Sequence, residues 1–326
     1  MDTIRVGIVG VGGMGSFHAR TLGSLAGVEV TAVSDPHRPS ADAIRTELGA
    51  RVVADPLELI ASDQVDAVVI ASPDDTHTEF TIAALDHGRP TLCEKPLATS
   101  AADARLVADA EIATGRRLVR LGFMREHDPA HRQLRTTLAD LGTIEYVRAV
   151  HRNANRVRRP LGEIVGQSMV HDIHTLRHLT AAEVVWVRAS GSGPSDGSFR
   201  HVVALCGLSN GSHAVLEFDD GGFAYDVTVE VLTTDGDAVT GPPLRPIRRR
   251  DGSIDVHLGS DWFGWFADAY RIQNQAWIES VRAGAADGPS VWDGYAAQIV
   301  VDALLESLAS GGTVATEVPD RPGLYG

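Results

Sequence analysis

The chain has few of the features that mark secreted, membrane-spanning or nucleic-acid-binding proteins. It has only two cysteines, Cys93 and Cys206, too few for a disulfide framework in 326 residues. Its N-terminus has no basic segment ahead of an apolar one, and its apolar runs are far shorter than the roughly 18 residues that suggest a membrane span. We therefore expect a reduced, cytoplasmic protein with no secretory leader and no membrane partner.

Positive charge is also scarce, with 29 Lys and Arg against 43 Asp and Glu and a net charge of -14. Such a field repels the phosphates of nucleic acid and anionic lipid, so neither is an expected partner. The 33 glycines follow no triplet period, which excludes collagen, and 44% hydrophobic residues exclude a mainly disordered chain. A length of 326 residues allows two domains of ordinary size.

The first third of the sequence alternates short apolar runs with helical patterns. The run Ile4–Val9 ends in a glycine turn and a helix follows it, and the runs at 28–33, 67–71, 91–93 and 118–122 repeat this arrangement. Strands that alternate with helices form a parallel sheet with helices on both faces. The predicted fold class is therefore α/β, with residues 1–122 forming a doubly wound domain of the Rossmann type.

After about residue 122 the hydrophobic period changes without a flexible linker. Helical patterns and alternating strand patterns share the rest of the chain, the helices at 129–138, 169–179, 263–282 and 292–308 and the strands at 184–189, 213–218 and 225–232. We predict that residues 123–326 form a second, α+β domain with a mainly antiparallel sheet. We also expect the two domains to share a cleft, where ligands commonly bind.

The first turn carries a dinucleotide-binding pattern, GxGxxG, formed by Gly10, Gly12 and Gly15. Its glycines allow a tight turn and let backbone N–H groups approach a pyrophosphate at a helix N-terminus. Asp35 ends the second strand, close to the spacing at which an acidic residue binds the ribose hydroxyls. This favours NAD, although Arg38 could attract the 2′-phosphate of NADP. The alternative is a plain glycine turn with Asp35 capping a helix. It would require the preceding strand, the following helix and the acidic residue at this spacing to coincide by chance.

A lysine lies at the predicted carboxyl edge of the same sheet, in Cys93-Glu94-Lys95-Pro96. Ligands of doubly wound folds bind at that edge, and a lysine there can hold a substrate hydroxyl and assist proton transfer. This segment, together with Ser72-Pro73, Thr76-His77 and Gly122-Phe123-Met124-Arg125, resembles the glucose-fructose oxidoreductase / inositol dehydrogenase family (Gfo/Idh/MocA). The order of the motifs along the chain makes the resemblance specific.

The resemblance continues into the second half of the chain. His151-Arg152-Asn153 is similar to the HRN segment of the inositol dehydrogenase branch, His171-Asp172-Ile173-His174 followed by Arg177 resembles its HEIDxxR segment, and Asp293-Gly294-Tyr295 resembles its DG element. The resemblance implies hydride transfer between a nicotinamide and a secondary alcohol or ketone carbon of a cyclitol or sugar. It also implies that residues 123–326 bind the substrate and, through an open sheet, form a homo-oligomer, dimer or tetramer. A cis peptide bond before Pro96 is implied as well.

By the same resemblance, His171 is the general base that removes the hydroxyl proton, and Lys95 orients the substrate oxygen and stabilises its developing negative charge. The implied cofactor contacts are Gly10, Gly12, Gly13, Met14, Gly15, Asp35, Arg38, Ser72, Pro73, Thr76, His77, Glu94 and Lys95. The implied substrate contacts are Arg125, His151, Asn153, Asp172 and Tyr225. Phe223 is an alternative to Tyr225 as a pocket wall, and core packing is an equally good explanation for both.

One position departs from the family pattern. Inositol dehydrogenases have an aspartate four residues before the histidine, and this chain has Gln167. A glutamine can fix the imidazole tautomer but supplies no negative charge, so His171 is expected to be a weaker base. Asp172 cannot easily replace it, because adjacent helical residues point in different directions. An altered relay, or a ketone or imine reductase that needs a less basic histidine, fits this change.

Two further patterns admit more than one interpretation. His171, His174 and His178 recur at helical spacing and could suggest a metal, but no clear second segment supplies ligands, so no metal site is predicted. The arginines at 148, 152, 156, 158 and 159 are usually explained as a solvated loop. They could instead recognise a phosphate or carboxylate of the substrate, in which case added salt should raise its Michaelis constant.

Three functions remain open from the sequence. The first is an NAD-dependent dehydrogenase, and the second is a sugar epimerase or glycosidase that recycles its bound cofactor. Net formation of NADH separates these two. The third is a non-catalytic nicotinamide-binding sensor, which only Gln167 favours and which has no need of both Lys95 and His171.

Overall fold

The computed structural model describes residues 3–154, 159–193, 198–241, 247–250, 253–256 and 261–326. The chain divides into two compact units. Unit 1 comprises Met1–Phe123, Arg271–Gln298 and Asp320–Gly326, and unit 2 comprises Met124–Tyr270 and Ile299–Pro319. Two C-terminal segments thus belong to unit 1, whereas the predicted division at residue 122 assigns them to the second domain. Their apolar side chains, including Trp277 and Ile278, are part of the unit 1 core.

Unit 1 contains a six-stranded parallel sheet in the order β3-β2-β1-β4-β5-β6. The strands are β1 Ile4–Val9, β2 Val28–Ser34, β3 Arg51–Val52, β4 Ala67–Ile70, β5 Thr91–Cys93 and β6 Val119–Leu121. The helices between them are α1 Gly13–Gly23, α2 Arg38–Leu48, α3 Pro56–Ala61, α4 His77–Asp86 and α5 Ala101–Thr114. The doubly wound prediction is confirmed. Strand order reverses between β1 and β4, so their carboxyl ends form the switch point at which such sheets bind ligands.

The sequence analysis missed β3 and α3, and the reason is their length. β3 has two residues and α3 has six, too few to show a period. Local chemistry forms α3 instead, because the Asp55 side chain accepts a hydrogen bond from Leu57 N and Pro56 occupies the first helical turn. Helix α1 begins at Gly13, inside the glycine-rich turn, where the sequence gives no hydrophobic signal for a helix.

Unit 2 contains a seven-stranded sheet in the order β14-β13-β7-β12-β11-β9-β17. Its strands are β7 Ile144–Arg152, β9 Val184–Ser192, β11 His201–Leu208, β12 His213–Asp219, β13 Asp226–Thr233, β14 Gly236–Val239 and β17 Thr313–Ala315. Only the β7–β12 pair is parallel, so the predicted mainly antiparallel sheet is confirmed. The sequence analysis did not recognise its central strand β7, because two arginines interrupt the apolar pattern there.

The helical and minor elements of unit 2 flank this sheet. They are α6 Pro129–Leu138, α7 Leu161–Glu163, a π-helical turn at Ile164–Met169, α8 Val170–Thr180, and the pairs β8 Arg159–Pro160 with β10 Ser198–Phe199 and β15 Ile247–Arg250 with β16 Ser253–Val256. Helix α8 contacts β7 and β12. The helices α9 Trp262–Ala283 and α10 Val291–Ser310 complete the described chain. None of the helices in the described ranges is long and apolar enough to span a bilayer.

Candidate active site

The glycine-rich turn joins β1 to α1 at the switch point of the unit 1 sheet. Gly10 has φ +82, and a Cβ there would lie 2.6 Å from the Ala71 carbonyl oxygen, so this position requires glycine. A Cβ on Gly15 would collide with the Gly10 carbonyl oxygen. By contrast, Cβ atoms on Gly12 and Gly13 would meet nothing within 4 Å among the described residues, none of which caps α1 with a side chain. The turn thus offers space beside a helix N-terminus, where a pyrophosphate fits.

Asp35 lies at the end of β2 and contacts the glycine-rich turn directly. One carboxylate oxygen accepts a hydrogen bond from Val11 N at 2.7 Å, and the other accepts from His37 N at 2.7 Å. The carboxylate is only half buried, so it can still meet ribose hydroxyls. Arg38 is exposed in the first turn of α2. Asp35 therefore fits the predicted ribose contact and also fixes the turn, a second role that the spacing alone did not show.

The segment after β4 supplies Ser72, Pro73, Thr76 and His77. The Ser72 and Thr76 hydroxyls lie 2.7 Å apart, and Thr76 Oγ1 also donates to the Pro73 carbonyl at 2.7 Å. His77 is buried, and its ring nitrogens lie 2.6 Å from the Pro96 carbonyl and 2.9 Å from the Ser72 carbonyl. Both ring nitrogens thus contact backbone carbonyls, so the ring holds these two loops in place, and its predicted contact with cofactor stays a prediction.

Two carbonyl acceptors on one imidazole require both nitrogens to donate, which only the imidazolium can do. Burial by itself lowers the pKa of His77, but the adjacent Cys93 and the Pro96 carbonyl outweigh burial and raise it to about 9. His77 is therefore a buried cation that ties the Ser72 loop to the loop of Lys95.

This cation predicts a pH dependence of stability. The unfolded imidazole titrates near 6.5, below the folded value of about 9, so the stabilisation is complete below pH 6.5 and is lost as the pH rises through 9. The free energy of unfolding should fall by about 3 kcal/mol over this interval. Urea unfolding measured from pH 6 to 9.5 should show this decline in the wild type and a flatter profile in His77→Gln. An equal slope in both proteins would contradict the assignment.

Glu94, Lys95 and Pro96 follow β5, and the Lys95–Pro96 peptide bond is cis, as the family resemblance implies. Lys95 is half buried, and it is the only lysine among 29 Lys and Arg residues. Glu94 is 5% exposed, lies 3.0 Å from His18 Nε2, and accepts from Lys95 N at 3.3 Å. The carboxylate of Glu94 thus anchors the Lys95 backbone to α1, which gives this predicted cofactor residue a structural task.

His171 and Gln167 lie in unit 2, around the junction of the π-helical turn with α8. His171 is 7% exposed, and its carbonyl accepts from Thr175 Oγ1 at 2.7 Å. Gln167 is half buried in the π-helical turn, a type of turn that often occurs at functional sites. The sequence analysis treated this region as the start of an ordinary helix at Met169.

Four of the predicted substrate residues form one buried network in unit 2. Asp172 Oδ1 accepts from Arg125 at 2.5 Å, and Asp172 Oδ2 lies 3.1 Å from His151 Nδ1. His151 also lies 3.2 Å from Arg125 Nη2 and 3.5 Å from the Tyr225 hydroxyl. All four residues are less than 5% exposed, whereas Phe223 is 92% exposed. The structure therefore favours Tyr225 over Phe223 as the aromatic partner of this network.

The charges in this network determine its protonation. Burial raises the pKa of Asp172, but the Arg125 and His151 side chains outweigh burial and hold it below its usual range. Burial lowers the pKa of His151, which the Asp172 carboxylate only partly offsets. Burial also raises the pKa of Tyr225. The stable form is a buried Arg125–Asp172 ion pair beside a neutral imidazole and a neutral phenol.

The arginine run does not form an anion-binding cluster in its described part. Arg148 pairs with Glu217 at 2.8 Å, Arg152 with Asp226 at 2.7 Å, and Arg159 with Asp220 at 2.8 Å. Acidic residues of neighbouring segments thus neutralise these three, a pairing that linear sequence cannot show. Arg156 and Arg158 lie outside the described residues. Arg148 and Arg152 are solvated, with side chains 42% exposed, but they lie on strand β7 rather than in a loop. The structure gives no support for phosphate recognition by these three arginines.

Besides its ion pair with Arg159, Asp220 links two segments of the candidate site, which the sequence analysis did not predict. It accepts from Asn153 Nδ2 at 2.9 Å and from Arg159, which also donates to Ser168 Oγ at 3.0 Å. This chain of contacts connects the HRN segment to the π-helical turn that carries Gln167. The sequence signal for it, an acidic Asp219-Asp220 pair before two glycines, is too common to identify it in advance.

A further cluster brings Glu126 against two of the three regularly spaced histidines. Glu126 Oε1 lies 2.7 Å from His174 Nε2 and 3.1 Å from His178 Nδ1. Burial favours the protonated acid, but the two histidines outweigh burial and hold the pKa of Glu126 well below its usual range. The prediction of no metal site rested on the lack of a second ligand segment, and the turn that carries Glu126 is such a segment. His171 is not part of this cluster.

A parallel sheet with a glycine-rich turn, an acidic residue after β2 and a lysine after β5 defines a nicotinamide-nucleotide-dependent oxidoreductase. Two family models match the chain, one described as the oxidoreductase family with an NAD-binding Rossmann fold, over residues 4–123, and one described as its C-terminal alpha/beta domain, over residues 139–316. The chain belongs to the Gfo/Idh/MocA oxidoreductase family.

Its relatives and structural neighbours are consistent with the inositol dehydrogenase branch. Inositol 2-dehydrogenase 1 of Saccharopolyspora erythraea is 39% identical over 99% of both chains. An inositol 2-dehydrogenase of Rubrobacter xylanophilus is 36% identical over 99% of this chain and 96% of its own. The myo-inositol dehydrogenase of Lactobacillus casei, solved with NAD(H) and myo-inositol, superposes with a TM-score of 0.95 at 28% identity, covering 99% of this chain and all of that one.

Proposed function

We propose that this protein is an NAD-dependent dehydrogenase that oxidises a secondary alcohol of an inositol or a closely related cyclitol. The observation that carries the proposal is the full-length similarity to inositol 2-dehydrogenases in a chain whose only lysine stands in the EKP segment after β5. Among so many arginines, a single lysine at this edge fits a position that needs a compact amine. Bound NAD supplies the hydride acceptor for this chemistry.

The other roles in the reaction fall to side chains and backbone groups of the protein. The ammonium of Lys95 orients the substrate hydroxyl and stabilises negative charge that develops on its oxygen. The imidazole of His171 accepts the hydroxyl proton as the carbinol carbon is oxidised. The glycine-rich turn and Asp35 hold the pyrophosphate and ribose, and the Asp35 carboxylate disfavours a 2′-phosphate. Asn153, His151 and Tyr225 contact the polyol, with Arg125 and Asp172 as the buried support of His151.

The direct test is a panel of inositols, sugars and aminocyclitols offered with NAD or NADP, with the absorbance of the reduced cofactor followed over time. The proposal expects NADH to form with at least one inositol and expects a clear preference for NAD. Turnover of a sugar without net NADH would replace it with the cofactor-recycling epimerase or glycosidase. A preference for NADP would overturn the role given to Asp35.

Gln167 gives a second, finer prediction. A charge-assisted hydrogen bond contributes about 1.5–3 kcal/mol and a neutral one about 0.5–1.5 kcal/mol, so Gln167→Asp should stabilise a protonated His171 by about 1 kcal/mol. The acid limb of the pH profile of kcat/KM should then move to higher pH by about one unit. Gln167→Asn is the neutral control and should leave the limb in place. An unchanged profile in Gln167→Asp would show that residue 167 does not partner His171.

We further propose that the enzyme is a cytoplasmic homo-oligomer. Both cysteines are free and buried, which suits a reducing compartment. The sheet of unit 2 exposes apolar side chains, among them Val203, Leu205 and Leu232, which a partner subunit could cover. Sedimentation of the purified protein at several concentrations tests the oligomeric state.

A further inference from the structure

Helix α8 presents two histidines on the face that meets Glu126. His174 and His178 are one helical turn apart, and their rings are stacked, with centroids 6.1 Å apart and planes inclined by 28°. Glu126 comes from the short 3-10 turn at Met124–His127 and places its carboxylate against both rings. One ligand atom from each residue lies within 4.8 Å of the other two. All three residues belong to unit 2.

These separations are close to those of a metal site. In a tetrahedral zinc site with bonds of about 2.0–2.1 Å, ligand atoms are about 3.3 Å apart. The Glu126 oxygen lies 2.7 Å and 3.1 Å from the two imidazole nitrogens, and all three ligand atoms lie within 4.8 Å of one another, so rearrangement of these side chains would admit the ion. Two imidazoles and one carboxylate are also a ligand set that zinc uses when its fourth position stays open.

We propose that Glu126, His174 and His178 bind one divalent transition-metal ion of the type that prefers imidazole ligands, such as Zn²⁺. The side chains are 15%, 3% and 21% exposed, so the ligands are held while one side of the cluster remains open. That side borders a pocket of about 390 Å³ lined by Glu126, Arg132, Arg135, Thr136 and His178. The Arg132 guanidinium there favours hydroxide or another small anion as the fourth ligand.

One contact distinguishes this site from a simple hydrogen-bonded cluster. Arg135 Nη1 lies 3.1 Å from His178 Nε2, so the guanidinium donates to that nitrogen. A metal on Nδ1 leaves the proton on Nε2, which can then no longer accept from Arg135. The exposed Arg135 side chain must turn away for the ion to bind, and its charge also opposes a cation. Removing this side chain should therefore strengthen metal binding.

The experiment uses full-length protein without a histidine tag, stripped with a chelator and titrated with Zn²⁺ by calorimetry and with Co²⁺ by visible absorption. We expect one equivalent to bind, with the intense visible bands of tetrahedral Co²⁺. Glu126→Gln and His178→Gln should each weaken binding by about tenfold or more, and Arg135→Ala should tighten it. His87→Gln, which replaces an exposed histidine at the end of α4, is the matched control and should bind as the wild type does.

Circular dichroism of each variant establishes that it is folded before titration. Binding that is absent, or that is equally strong in Glu126→Gln and His178→Gln, would overturn the proposal and leave a hydrogen-bonded cluster. Weaker binding in Arg135→Ala would also overturn it, because the structure makes Arg135 a competitor of the ion. Arg135→Ala retains all three ligands, so it tests the site even if loss of a ligand prevents folding. None of these readouts depends on dehydrogenase activity.

Discussion

Lys95→Met should reduce kcat by about 10²–10³-fold while leaving the binding of NAD nearly unchanged. Methionine keeps the length and apolar stem of lysine but removes the ammonium, and loss of one preorganised donor to a developing oxyanion costs an enzyme about this factor. Steady-state kinetics with an inositol substrate gives kcat, and quenching of protein fluorescence by NADH gives the affinity for cofactor. Equal kcat in the variant and the wild type would remove Lys95 from the mechanism.

A double variant tests whether Lys95 and His171 act on the same step of the reaction. Residues that act on one reacting group are strongly non-additive, because removing either disables the shared step. Lys95→Met with His171→Asn should thus lose little more activity than the worse single variant. Losses that multiply would instead show two independent roles. Glu230→Gln, on β13 outside the candidate site, is a control for unspecific effects and should retain full activity.

Asp172→Asn should lower the free energy of unfolding by about 3–5 kcal/mol. Asparagine keeps the shape of the side chain but leaves the guanidinium of Arg125 buried at 2% exposure without its counter-charge. Chemical denaturation at pH 7 measures the change through the transition midpoint. The result does not depend on substrate, so it tests the network as a structural element and separately from catalysis.

A second ion pair of the same unit provides the comparison. Arg148 and Glu217 pair at 2.8 Å, but their side chains are 42% and 30% exposed. Water screens such a pair, so Glu217→Gln should cost about 1 kcal/mol or less. If the two substitutions were equally costly, burial would not be what makes Asp172 important.

The elements that depend on neighbouring residues in the chain could be predicted from the sequence. The parallel sheet followed from the alternation of strands and helices, and the glycine-rich turn from residues that only a tight turn requires. Strand β7 was missed because its arginines look solvated in the sequence, yet Arg148 and Arg152 are paired with acids that lie far along the chain. Such pairing becomes visible only when the strands are assembled.

The candidate site shows the same limit. The family motifs placed Lys95, His171 and the cofactor turn, but they did not show that Glu94 and His77 are bound by the protein itself. Nor could helical spacing alone bring Glu126 to His174, because the two are 48 residues apart. Composition also points to Lys95, because the chain contains a single lysine.

That solitary lysine makes the chain unusually easy to label. Reagents that acylate amines leave guanidinium groups untouched, so the half-buried Lys95 is their one side-chain target in the whole sequence. Apart from the terminal α-amino group, which such reagents also acylate, a fluorophore or isotope introduced in this way would mark only the edge of the sheet, without any engineered cysteine. A ligand that covers the amine would slow its acylation. The acylation rate would then measure ligand binding at this edge of the sheet, even for compounds that are never oxidised.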